Sequence, residues 1–107
     1  MRNNILVALA LAVVAGCGPD DGSADFEKAE AAYAARDLQT AVLFYGTAAA
    51  KNPTNFTARM KLALANVDIG ELDAARAAVD SALAVDPTSA EARLLDGNIA
   101  YLAKDYA

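Results

Sequence analysis

The chain has no histidine and no tryptophan, and its 107 residues hold one cysteine, three prolines and seven aromatic side chains. Without an imidazole, every mechanism built on a histidine base is closed. One thiol cannot form a disulfide framework or a thiolate zinc cluster. Positive charge is scarce: nine basic residues stand against 14 acidic ones, for a net charge of −5 and a pI near 4.4. That balance excludes the clustered basic surface on which nucleic-acid binding depends. Large apolar side chains are also few. Alanine accounts for 28 residues, and only 23 larger apolar residues follow position 17. Alanine is the best helix former, and its small side chain lets helices approach closely. The composition therefore points to an all-α chain, and the length to one small domain.

The longest apolar run covers residues 5–15, after Met1-Arg2-Asn3-Asn4. Eleven residues fall short of the ~20 a membrane-spanning helix needs, but fit the ~7–15 residue core of a secretory signal. The run ends in Val14-Ala15-Gly16-Cys17, which resembles the bacterial lipobox. That resemblance implies cleavage between Gly16 and Cys17 and two or three acyl chains on Cys17, enough for stable anchoring. Residues 1–16 are then a lipoprotein signal peptide. Residues 17–24 are a lipidated cysteine and a flexible acidic tether, Gly18-Pro19-Asp20-Asp21-Gly22-Ser23. After cleavage, eight basic residues face 14 acidic ones, so anionic headgroups should hold the domain off the bilayer. Gly18 in place of aspartate, by resemblance to enterobacterial sorting, implies the periplasmic face of the outer membrane rather than the inner membrane.

The remainder, 25–107, repeats with a period of 34 and no gap. Ala29, Ala63 and Gly97 align, as do Asp37, Glu71 and Asp105; Ala41 pairs with Ala75, Ala48 with Ala82 and Pro53 with Pro87. Phe26, Met60 and Leu94 share one register, and Tyr33, Val67 and Tyr101 another. A 34-residue unit with small residues at fixed places and a closing proline resembles the tetratricopeptide repeat (TPR), a helix–turn–helix. The resemblance implies an α-solenoid of about two and a half repeats: about 22–55, 56–89 and an incomplete 90–107. Some places depart from the pattern. The early large aromatic is replaced by Asp25, Arg59 and Arg93, and the leucine before the small residue by Lys28 and Asp96.

Local signals predict helices over 25–36, 38–51, 55–69 and 72–85, with Gly70 at a left-handed C′ position. Pro53 ends the first unit, since it cannot donate and disfavours helix before it. Thr88-Ser89-Ala90-Glu91 has capping-box spacing and predicts a fifth helix running to about 103. Ala29, Ala41, Ala63 and Ala75 mark helix-to-helix backbone contacts. The chain stops at the turn that would open a sixth helix, which implies a fragment, or else an open end that docks onto something, and leaves Leu95, Ile99 and Leu102 partly uncovered.

No catalytic constellation stands out among the carboxylates, and no metal or cofactor is expected; the chain reads as a non-enzyme. Asn55-Phe56-Thr57 matches a glycosylation sequon by chance. By the TPR resemblance, the first helix of each repeat lines a concave groove. Its contact positions are Phe26, Glu30 and Tyr33, then Met60, Leu64 and Val67, then Leu94, Asn98 and Tyr101. Phe26 and Glu30 do not suit the carboxylate-clamp mode; an apolar, aromatic-edged groove suits a helix or extended peptide. The lipobox, the short acidic tether, AAYAARDLQTAV at 31–42 and PTSAEARLLDGNIAYLAKDYA at 87–107 further resemble the TPR lipoproteins of PEP-CTERM/exosortase export systems, with pilus pilotins and outer-membrane assembly lipoproteins as alternatives on the same template. The expected function is a membrane-anchored protein–protein scaffold of the bacterial envelope; the alternative is the N-terminal accessory region of a longer envelope enzyme.

Overall fold

The structure is a computed structural model describing residues 20–105. The signal peptide, the Gly16–Cys17 cleavage site and the lipidation site lie outside the described residues. Among the described residues there are five helices and no strand: α1 Ser23–Ala34, α2 Leu38–Lys51, α3 Phe56–Asp68, α4 Leu72–Val85 and α5 Ala90–Asp105. Consecutive helices pack on one another, most extensively within the pairs α1–α2 and α3–α4. This is an all-α helical repeat solenoid.

The alanines at the repeat positions make these pairs possible. Ala29, Ala41, Ala48, Ala63, Ala75 and Ala82 are all fully buried, so the backbones meet where the period places them. The larger core residues fill the space between alanine contacts: Tyr45 in the first pair, and Met60, Val79 and Ile99 toward the second and α5. Lys28, at the place held by Leu62 in the next repeat, is exposed. Its ammonium lies 5.5 Å from the centre of the Phe44 ring, a cation–π contact between α1 and α2.

Both turns within repeats follow one design. At the end of α3, Gly70 has φ 82°, its N–H donates to Val67 O, and Glu71 N–H donates to Asn66 O. This is the paired bonding of a Schellman turn. At the end of α1, Arg36 takes the same place with φ 62°, and Arg36 and Asp37 donate to Tyr33 O and Ala32 O. The first turn thus puts a residue bearing a Cβ where glycine is favoured.

The loops between repeats also match. Arg59 Nε donates to Pro53 O at 2.8 Å, and Arg93 Nη2 to Pro87 O at 2.6 Å. The two arginines that displaced the aromatic therefore lock each loop onto the helix that follows it. Asn55 caps α3 by accepting from Ala58 N–H at 3.0 Å, and Ser89 caps α5 by accepting from Ala92 N–H at 3.1 Å. The capping box expected from Thr88 does not form. Thr88 instead donates its backbone N–H and its hydroxyl to Asp86 Oδ1, so α5 starts at Ala90.

The start of the domain also differs from expectation. Asp20 and Asp21 accept from the N–H groups of Gly22 and Ser23, and α1 begins at Ser23. Lys51, at the end of α2, donates to Asp20 and Asp25 at 2.6 Å each. Gly22 sits at φ 80° with its α-carbon against α2; a Cβ there would lie 2.8 Å from Ala48 O. Residues 20–22 are thus fastened to α2 rather than forming part of a free tether.

Candidate partner-binding wall

The face that α1 and α3 share is defined by two side-chain links. Lys61 on α3 lies 3.5 Å from Glu30 on α1, and the Tyr33 hydroxyl donates to Asp68 Oδ2 at 2.6 Å. Lys61, Leu64 and Asp68 fall at i, i+3 and i+7, one stripe of a helix. One repeat earlier the stripe is Glu27, Glu30 and Ala34; one repeat later it is Leu95, Asn98 and Leu102. By the repeat register these three stripes continue one another as an inner wall, acidic on α1 and apolar on α5.

Of the expected groove residues, Glu30, Leu64 and Asn98 occupy the middle of this wall. Glu30 is held from two sides, since Tyr45 also donates to its Oε2 at 2.6 Å. Tyr33 is half-buried, and its hydroxyl is raised above its ordinary pKa by the Asp68 hydrogen bond and then by burial. Phe26 is half-buried and meets the Tyr45 ring edge-on at 5.7 Å, which fixes it as a wedge between α1, α2 and α3. Met60 requires a correction. It is 4% exposed and packs with Ala63, Val79 and Ala92, so it joins α3 to α4 and α5 instead of offering a surface. Val67 is half-buried against the same cluster.

On α5 the open positions are Leu94 and Tyr101, 66% and 61% exposed, with Gly97 and Asn98 also exposed. The expectation that Ile99 would be uncovered fails, because Ile99 is 1% exposed and closes the core against α4. Leu95 and Leu102 are half-buried.

Four contributors escaped sequence reasoning: Tyr45, Lys61, Asp68 and the fastening lysine Lys51. Tyr45 is fully buried, and its phenol is raised well above the ordinary range by burial and by its bond to Glu30. Its signal was the alignment of Tyr45 with Val79 at the 34-residue period, a core place in both repeats.

A cleft of about 530 Å³ opens at the end of the wall, lined by Val67, Asp68, Ile69, Gly70, Leu72 and Leu102. In the preceding repeat the corresponding places hold Tyr33 and Arg36 in place of Val67 and Gly70, and Tyr33 reaches Asp68. Two of the lining places thus carry smaller residues than their counterparts one repeat earlier. Among the described residues no group of acidic or cysteine side chains has the arrangement to hold a metal, and no helix is long and apolar enough to cross a membrane.

A family model described as tetratricopeptide repeat matches residues 32–99. No curated protein matches the chain.

Proposed function

Since the chain belongs to the tetratricopeptide-repeat family, whose repeats generally mediate protein–protein interaction, we propose that it is a lipid-anchored scaffold of the bacterial cell envelope. It holds a protein or peptide partner along the inner wall of its repeats. The observation that supports the binding site is the continuous stripe through Glu30, Lys61, Leu64, Asn98 and Leu102. Its residues keep part of their surface open to solvent, and cross-links between α1 and α3 preorganise it, which reduces the ordering cost of binding. The anchor rests on Val14-Ala15-Gly16-Cys17 and on the apolar run before it. Gly18 favours the outer membrane, and the likeness to exosortase-associated TPR lipoproteins favours a part in export or assembly of envelope proteins.

The anchor is tested by labelling cells with a radioactive fatty acid. Wild-type protein is expected to take up label, and Cys17→Ser to accumulate as unlabelled precursor. Equal label in both would refute acylation at Cys17.

A further inference from the structure

We propose that the cleft between the α3–α4 turn and α5 is a side-chain pocket that selects peptides carrying a bulky apolar residue next to a lysine or arginine. This deepens the inner-wall reading above and rests on it. The apolar half follows from the lining. Val67, Ile69, Leu72 and Leu102 supply the walls, and Gly70 leaves one side without a side chain. A volume of about 530 Å³ lies within the range of ligand-binding clefts and exceeds what one buried side chain needs.

The internal repeat shows what such a place accepts. One repeat earlier the same junction is occupied by the ring of Tyr33, which donates to Asp68. At the second junction Val67 replaces that tyrosine, and among the described residues no aromatic ring lines the corresponding space.

The basic half follows from charge. Asp68 lines the cleft and is exposed. Its Oδ2 accepts from Tyr33, and among the described residues no lysine or arginine lies within ion-pair distance of it. Glu27 and Glu30 continue the same wall on α1, with Lys61 pairing Glu30. A cation beside the apolar anchor would meet Asp68, and further positive charge would meet Glu27. An acidic peptide would meet the same groups at a like-charge cost.

The test uses the full-length protein in detergent and three fluorescein-labelled peptide pools, each of nine residues with a central tyrosine, phenylalanine or leucine. Flanking positions are lysine/arginine, glutamine/serine or glutamate/aspartate. The basic pool is expected to bind at least tenfold tighter than the acidic one, and to weaken as salt rises. Val67→Tyr restores the residue of the preceding repeat and fills the cleft. It is expected to keep the wild-type melting temperature and lose at least tenfold in affinity. Asp68→Asn is expected to narrow the gap between basic and neutral pools. Binding of all pools alike, or undiminished binding by folded Val67→Tyr, would overturn the pocket while leaving the wall reading intact. No binding of any pool would overturn both.

Discussion

Tyr45 is the side chain on which the first repeat depends most. Tyr45→Phe removes one hydroxyl from a fully buried residue and ends a 2.6 Å bond to Glu30. A hydrogen bond to a charged group contributes ~1.5–3 kcal/mol net. The Glu30 side chain is 39% exposed, so water and Lys61 compensate it in part, and the loss falls near the lower figure. For a domain of this size ~1 kcal/mol moves the melting temperature by ~4–8 °C, so Tyr45→Phe should melt ~6–12 °C below wild type. Tyr45→Ala also removes the edge-on contacts to Phe26 and Tyr33, at 5.7 and 6.3 Å, and leaves a cavity. Its expected cost is ~3–5 kcal/mol, a large part of a typical ~5–15 kcal/mol stability. Thermal and urea unfolding followed by circular dichroism measures both. A Tyr45→Phe melt within 2 °C of wild type, a margin of about 0.5 kcal/mol, would refute the role given to the Glu30 bond.

Arg36→Gly relieves a positive φ of 62° without touching the core, and should stabilise by ~0.5–1 kcal/mol in the same melts. Gly22→Ala adds a Cβ that meets Ala48 O at 2.8 Å on a backbone of positive φ, and should cost ~1–3 kcal/mol. Above pH ~10 the stability should fall. Tyr45 is held neutral by burial and then by Glu30, and Tyr33 by Asp68 and then by burial, so the unfolded chain loses these protons first. Lys51, raised to about 12 by Asp20 and then Asp25, adds a contribution that is complete below its ordinary 10.5 and lost toward 12. A pH series of melts checks this, with Tyr45→Phe expected to show a shallower alkaline decline than wild type.

The helices and their pairing were legible because alanine spacing and the 34-residue period act locally and repeatedly. Ala29, Ala41, Ala63 and Ala75 are buried where the period put them. The site was less legible, because the direction of a side chain within a repeat depends on what its neighbours leave open. Met60 and Glu30 both stood as groove positions. Met60 is drawn into the core by Ala92 and Val79, which leave room for it, while Glu30 stays on the wall between Tyr45 and Lys61. Asp25, Arg59 and Arg93 looked like defects of the repeat. Their function appears only with the Lys51 and proline-carbonyl partners in place. Thr88 and Ser89 are chemically similar caps, and the bond from Thr88 to Asp86 decides between them.

The central claim is that the partner lies on the inner wall of the repeats. Amide chemical-shift mapping of the isotopically labelled chain, titrated with the basic, apolar-centred peptide pool, tests it most directly. The account predicts shifts concentrated at Glu30, Lys61, Leu64, Asp68, Asn98 and Leu102, with Leu43, Ala77 and Asp80 on the second helices unmoved. Shifts centred on Leu43, Ala77 and Asp80 instead would contradict it.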